Sequence, residues 1–236
     1  MWLRLPSGLR IFLKKLTGYS PYPSFYGINS DVSHAKKTKN IHFGTIIGNH
    51  RAANLLDSSL AKFFVKRGYK VTVVLCDGAL PACLNCSIWK SSKKDFLSDS
   101  LSQSPKELGL CDTCYPNSHK LWKSTGAKIY KISELMGNGH TDSQKGDRIS
   151  FENLDITEEV VSGSLRYLCK GDEACISDEL FSRYARASLM ICEAYKRLLS
   201  KEKIDIGIWV HGIYMPHGIL NKVFKENEIT FYNYNT

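Results

Sequence analysis

The sequence has no long apolar run, few cysteines and no signal-like beginning. No stretch approaches the roughly 18 to 20 consecutive apolar residues that a membrane span needs. Eight cysteines in 236 residues are too few for a secreted scaffold built on disulfides. The first residues also lack the uninterrupted apolar stretch of a signal peptide. These absences predict a cytoplasmic protein that does not cross a membrane.

Three common catalytic motifs are also missing from the sequence. It contains no GxSxG nucleophile elbow, no Walker P-loop and no HExxH metal motif. A small stand-alone enzyme of those classes therefore has no support. The composition, with 43% hydrophobic and 11% aromatic residues, is typical of a folded globular protein.

The charge is strongly basic, at +9, which suits nucleic acid, an anionic membrane surface or a phosphate-bearing molecule. Much of the excess precedes the first predicted strand, at Arg4, Arg10, Lys14, Lys15, Lys36, Lys37 and Lys39. Leucine and aromatic residues alternate with these cations, as in helices that lie on a membrane surface. We therefore expect residues 1–39 to form a basic amphipathic segment, helical over 1–18, that contacts the inner membrane face. Packing of its apolar side on the protein is the alternative.

The rest of the chain, 40–236, alternates between strand and helix patterns. Strands are predicted at 40–48, 69–76, 127–132, 204–210 and 229–234, and helices at 52–67, 115–124, 157–169, 177–200 and from 217 to about 226. The second strand is continuous and β-branched, as in parallel strands that are buried on both faces. This order predicts an α/β fold with a doubly wound, mostly parallel, Rossmann-like sheet.

Two CxxC pairs interrupt this pattern in an insert at about residues 77–114. Cys83 and Cys86 form one pair, and Cys111 and Cys114 form the other. Four thiolates complete the tetrahedral sphere of a structural Zn²⁺ ion, which would tie down the insert and leave no open position for chemistry. An iron–sulfur cluster on the same cysteines, a pair of disulfides, or unligated thiols are the alternatives.

The cysteine pairs also raise the possibility of a non-enzymatic, zinc-stapled module that binds nucleic acid or a protein partner. No basic recognition helix follows the cysteines, and the insert interrupts an α/β core, unlike DNA-reading fingers. The sequence therefore argues against nucleic acid as the ligand.

Polar turns follow three of the predicted strands, at 49–51, at 77–78 and at 211–214. In doubly wound sheets, ligands bind in the crevice outside the carboxyl ends of the strands. We therefore expect these three turns to lie at one edge of the sheet and to contribute to a ligand site.

Several motifs resemble a known family. The run from Leu75 to Cys86 (LCDGALPACLNC), the later LCDTC at 110–114, the SGSLRY at 162–167 and the HGIY at 211–214 are similar to bacterial capsule and surface-polysaccharide glycosyltransferase-like proteins. The resemblance implies one Rossmann-like lobe of a GT-B glycosyltransferase. It also implies a nucleotide-sugar donor, a saccharide or lipid-linked acceptor, and a missing second lobe or partner chain, without which the chain is expected to be inactive.

The first two turns carry residues suited to such chemistry. His50 could act as a base for an acceptor hydroxyl, with Asn49 and Arg51 beside it to bind substrate and phosphate. Asp77 could orient a hydroxyl group. A hydrogen bond within the turn is the alternative for His50, and a structural hydrogen bond in the loop is the alternative for Asp77.

The third turn carries His211 as a further catalytic candidate. Tyr214 offers an aromatic face on which a sugar could stack. Arg166, on a predicted helix, could bind an anion. A buried, satisfied histidine is the alternative for His211, and a solvated or ion-paired side chain is the alternative for Arg166.

Overall fold

The fold comes from a computed structural model, which describes residues 39–86, 105–106, 109–136 and 145–235. The predicted helix at 1–18, most of the basic segment and the middle of the cysteine insert lie outside the described residues. The four cysteines of the CxxC pairs and all three polar turns lie within them.

A five-stranded sheet forms the centre of the protein, in the order β3-β2-β1-β6-β7. Its strands are β1 (Asn40–Phe43), β2 (Lys70–Leu75), β3 (Lys128–Lys131), β6 (Ile206–Val210) and β7 (Thr230–Tyr234). Every neighbouring pair in this sheet is parallel. A short antiparallel hairpin, β4 (Ser150–Phe151) and β5 (Leu154–Asp155), lies apart from it. The predicted α/β fold with a mostly parallel sheet is therefore confirmed.

Six α-helices surround the sheet in the described part of the chain. They are α1 (Arg51–Lys66), α2 (Cys114–Lys123), α3 (Ile132–Leu135), α4 (Thr157–Leu168), α5 (Asp178–Lys201) and α6 (His217–Glu226). The longest, α5, begins where the Ser177 side chain accepts a hydrogen bond from the Leu180 N–H at 3.3 Å. Asp178 and Glu179 in its first turn complement the helix dipole.

The two faces of the sheet bury separate apolar cores, because alternate residues of a strand point to opposite faces. On one face, Ile41 and Phe43 of β1 pack in a cluster with Trp122 of α2. On the other face, His42 lies against Tyr195 of α5, with the two rings 5.4 Å apart. Helices therefore cover both faces and hold the sheet between them.

Helix α1 buries only part of the apolar side that its sequence suggests. The helical spacing predicts that its large apolar residues face the core: Leu55, Leu56, Leu60, Phe63 and Phe64. Leu60 and Phe64 do pack against the apolar cluster of β1 and β2, but Leu56 is 42% exposed and Phe63 is 48% exposed. The buried residues are smaller and partly polar: Ala53, Asn54, Asp57, Ser58 and Ala61. Small side chains let the helix backbone lie close to the sheet, and Asn54 and Asp57 hydrogen-bond groups just after β1 and at the end of β7.

The first strand is shorter than the predicted range 40–48, but the chain continues beside its neighbours. The Gly44 N–H donates to the Ile208 carbonyl at 2.9 Å, and the Cys76 N–H donates to the Ile46 carbonyl at 2.8 Å. The ends of β1, β2 and β6 therefore lie together at one side of the sheet, which we call the carboxyl edge. Within the described ranges, no helix is both long and apolar enough to cross a membrane.

Candidate functional site

The turn that carries His50 is held by a buried asparagine of α1. The Asn54 amide donates to the Ile47 carbonyl at 2.9 Å and to the His50 carbonyl at 3.1 Å. Its oxygen accepts a hydrogen bond from the Trp122 indole N–H at 3.1 Å. Asn54 is fully buried, so these bonds do not compete with solvent. The position of His50 is thus fixed from both α1 and α2.

Replacing Asn54 with alanine is expected to lower the free energy of unfolding by about 1–3 kcal/mol, because it leaves the buried Trp122 N–H and Ile47 carbonyl without their partner. Urea denaturation measures this loss. The matched control is alanine at Asn153, which is exposed and should change the free energy little. An equal loss in both variants would contradict the role of Asn54.

The turn after β6 is held in a similar way by Asn221 of α6. Its side-chain oxygen accepts from the Trp209 indole N–H at 3.0 Å, and its amide donates to the Gly212 carbonyl at 3.1 Å. A Cβ at Gly212 would lie 2.8 Å from the Asn221 Cγ, so only glycine fits there. His211 itself has a φ of +20°, outside the ordinary range for a residue with a side chain.

Three histidine rings meet between these two turns. The rings of His50 and His211 are 6.5 Å apart, and the rings of His211 and His217 are 4.9 Å apart. We call these three residues the histidine cluster. It joins the end of β1, the end of β6 and the first residue of α6 at the carboxyl edge.

The environment lowers the pKa values of two members of the histidine cluster, His211 and His217. Burial lowers the pKa of His211, and the nearby His50 and Arg166 lower it further. Burial also lowers the pKa of His217, to about 3, with contributions from His211 and His50. The Nδ1 atoms of His211 and His217 are buried without a hydrogen-bond partner among the described residues. Neutral imidazoles with an unused nitrogen can accept a proton or a hydrogen bond.

Tyr214 and Arg166 border the histidine cluster. The Tyr214 ring lies 5.6 Å from that of His211, and the Arg166 guanidinium carbon lies 5.8 Å from the centre of the Tyr214 ring. Arg166 projects from α4 and is exposed. Of the predicted site residues, the structure therefore brings His50, His211, Tyr214 and Arg166 together.

The other predicted residues have different surroundings. Asp77 accepts hydrogen bonds from the Ser133 N–H, at 3.3 Å, and from the Ser133 hydroxyl, as in the structural alternative for this residue. Arg51 is exposed at the start of α1. The backbone N–H of Asn49 points to the Cys114 sulfur, so this turn also touches the cysteine pairs. Catalytic or binding roles for these three residues stay predictions.

The two cysteine pairs form two similar backbone turns. The Cys86 N–H donates to the Cys83 carbonyl at 3.0 Å, and the Cys114 N–H donates to the Cys111 carbonyl at 3.2 Å. Burial raises the pKa of Cys111 and that of Cys114 to about 12. No group of three or more His, Cys, Asp or Glu side chains in the described residues has the arrangement of a formed metal site. The predicted zinc or iron–sulfur ligation therefore stays a prediction.

A buried acid near this edge was missed at the sequence level. Asp57 of α1 is fully buried and accepts hydrogen bonds from the Thr45 hydroxyl and, at 2.6 Å, from the Tyr234 hydroxyl. Burial raises its pKa to about 7, against the smaller lowering effect of the two hydrogen bonds. The sequence did offer one indication that Asp57 is buried. It lies one helical turn after Asn54, and so on the same side of α1. The place of His217 in the site was also missed, because in the sequence it is simply the first residue of a predicted helix.

No family model and no curated protein match the chain. Among solved structures, the chain is similar to a cyclodipeptide synthase from Fluoribacter dumoffii, at 9% identity and a TM-score of 0.47, over 85% of this chain and 90% of that one. It is also similar to a cyclo(L-leucyl-L-phenylalanyl) synthase, at 15% identity and a TM-score of 0.40, over 77% of this chain and 81% of that one.

These similar structures are cyclodipeptide synthases, so the expected glycosyltransferase is wrong. The correction covers the GT-B lobe, the role in capsule biosynthesis, the nucleotide-sugar donor, the saccharide or lipid-linked acceptor and the missing second lobe. That expectation came from cysteine spacing and short turn motifs. Such short motifs indicate local backbone turns. They do not identify a function, because function depends on how side chains are grouped around a site.

Proposed function

We propose that the histidine cluster, with Tyr214 and Arg166, is the active site of an α/β enzyme that removes a proton from an anionic substrate. The observation that carries the proposal is the grouping of three histidine rings at the carboxyl edge of a parallel sheet. Ligands of such sheets bind at this edge. The sheet order and the helices on both faces also support a doubly wound, Rossmann-like fold.

His211 is the proposed general base. Its lowered pKa leaves it neutral near pH 7, and a base must be unprotonated to accept a proton from a hydroxyl or amino group. The ring of His217 lies 4.9 Å away and is buried, so it limits where the His211 ring can turn. His50 borders the other side and could contact the same substrate.

Arg166 is the proposed contact for the anionic group of the substrate. A guanidinium pairs well with phosphate or carboxylate through two parallel hydrogen bonds. Its guanidinium lies beside the Tyr214 ring, which borders the histidine cluster at His211. The excess of basic residues, +9 in total, favours the approach of anions in general.

The test uses inorganic pyrophosphate as the anionic probe and protein with isotope-labelled histidine. Pyrophosphate is expected to shift the imidazole NMR signals of His211 and His50. The signal of His42 should not move, because its ring is fully buried and hydrogen-bonded to Thr72 and Tyr195. Arg166→Gln should weaken this binding about tenfold, since it removes a charge-assisted contact.

The matched control is Arg186→Gln, because Arg186 is an exposed arginine on α5. It should leave the affinity within about twofold, since an isolated surface charge contributes little. The proposed site would be refuted if pyrophosphate left the His211 signal unchanged. It would also be refuted if the two arginine variants weakened pyrophosphate binding equally.

A cytoplasmic location with contact to the inner membrane face is also a proposal. It derives from the basic composition of residues 1–39, nearly all of which lie outside the described residues. Loss of binding to anionic vesicles on deletion of residues 1–18 would support it, and salt should weaken the binding of the full chain.

A further inference from the structure

The cysteine turns lie directly against the His50 turn. A Cβ added to Gly48 would come within 2.5 Å of the Cys114 carbonyl oxygen and would also clash with the Ser118 side chain. Gly48 is therefore in close contact with the first turn of α2. The backbone N–H groups of Gly48 and Asn49 point to the Cys114 sulfur. The position of Cys114 and the position of His50 are thus mechanically linked.

The sulfur atoms of one pair already have the spacing of metal ligands. The Cys83 and Cys86 sulfurs are 3.5 Å apart. In a tetrahedron of thiolates around zinc, with zinc–sulfur bonds of ~2.3 Å, neighbouring sulfurs are about 3.8 Å apart. Both CxxC turns are closed by a backbone hydrogen bond from the fourth residue to the first, so the second pair has the same backbone turn as the first.

The second pair faces the same region of the protein. Cys111 packs on Gly78, where an added Cβ would lie 3.7 Å from the Cys111 sulfur. Gly78 belongs to the loop that leaves β2 and leads to Cys83. Cys83 and Cys114 both pack against the same apolar cluster, which includes Cys86. The two turns therefore face the same core, one in the loop after β2 and the other at the start of α2.

We propose that Cys83, Cys86, Cys111 and Cys114 bind one zinc ion, and that this ion fixes the turn that carries His50. The site is structural, because four thiolates fill the coordination sphere of zinc. Binding draws the second pair toward the first and releases the thiol protons. Through Cys114 and Gly48, the same movement sets the distance between His50 and His211.

Zinc stoichiometry gives a first test that does not need an activity assay. Protein made without chelator is expected to contain about one zinc per chain, measured by inductively coupled plasma mass spectrometry. Cys86→Ser and Cys114→Ser should each lose most of the zinc. Cys169 is an exposed cysteine just after α4, and the Cys169→Ser variant should keep its zinc.

Cys76→Ser tests the choice of ligands. Cys76 is buried at the end of β2, next to the proposed site, and it is expected to stay unligated, so this variant should keep its zinc. Loss of zinc from a folded Cys76→Ser protein, or a full equivalent of zinc in Cys86→Ser, would overturn the ligand set. Iron in place of zinc, with absorption in the visible range, would overturn the metal assignment.

The link to the candidate active site has its own measurement. Removal of zinc with EDTA is expected to shift the imidazole NMR signal of His50. The signal of His42 should stay in place, because its ring is hydrogen-bonded to Thr72 and Tyr195 away from this turn. An unchanged His50 signal after zinc loss would refute the coupling even if the zinc site itself is present.

Discussion

Replacing Trp209 with alanine is expected to lower the free energy of unfolding by about 3–5 kcal/mol. The ring is fully buried, stacks on Phe231 at 5.3 Å and meets the edge of Phe224 at 4.8 Å. Its removal leaves a large cavity between β6, α6 and β7. It also removes the indole N–H that fixes Asn221, which in turn holds the turn beside His211.

Urea denaturation measures the loss, and Tyr232→Ala provides the control. Tyr232 lies on β7, the strand next to β6, but its ring is 61% exposed, so its loss should change the free energy by less than about 1 kcal/mol. A milder variant, Trp209→Phe, should retain much of the packing and lose the hydrogen bond to Asn221. If Trp209→Ala and Tyr232→Ala destabilise equally, the described packing around β6 is incorrect.

Replacing Asp57 with asparagine is expected to change how stability depends on pH. Burial raises the pKa of the Asp57 carboxyl from 3.8 to about 7. Between these values the folded protein keeps the proton that the unfolded chain has released. The folded state therefore binds more protons, and the contribution of Asp57 to stability falls as pH rises through this window.

The difference between wild type and Asp57→Asn isolates this effect, because asparagine does not titrate. The free energy of unfolding of wild type, relative to the variant, should fall by about 2–3 kcal/mol between about pH 5 and about pH 7. The lowered pKa values of His42 and His217 act in the opposite direction, but both proteins share them. Urea denaturation at several pH values gives the comparison. A constant difference across this range would contradict the raised pKa.

The order of the five sheet strands and of the five longer helices was predictable from the sequence because each has a strong local pattern, whereas the short helix α3 and the hairpin of β4 and β5 were not predicted. The continuous β-branched run at 70–75 and the helical spacing at 178–201 required no knowledge of their neighbours. The carboxyl-edge position of His50 and His211 also followed, since both come directly after parallel strands. Their ring separation of 6.5 Å agrees with that placement.

The features that the sequence did not predict depend on contacts between distant residues. The carboxyl of Asp57 is paired with the hydroxyl of Tyr234, which lies 177 residues away. Hydrophobicity predicted only part of the buried side of α1, since Leu60 and Phe64 pack inward while close packing on the sheet favoured small residues over Leu56 and Phe63. His217 belongs to the histidine cluster because the turn at 212–216 brings its ring to 4.9 Å from that of His211.

The central pairing of β1 with β6 has a consequence for how the protein folds. The Asn40 N–H bonds to the Asp205 side chain across 165 residues of sequence, whereas β1 and β2 are joined by a single helix. Closing such a long loop is slow compared with local pairing. During synthesis, His50 and both cysteine turns emerge well before β6, so they can adopt local structure first. The histidine cluster cannot exist until β6 docks, and the chain therefore acquires its candidate chemistry only after this long-range pairing has formed.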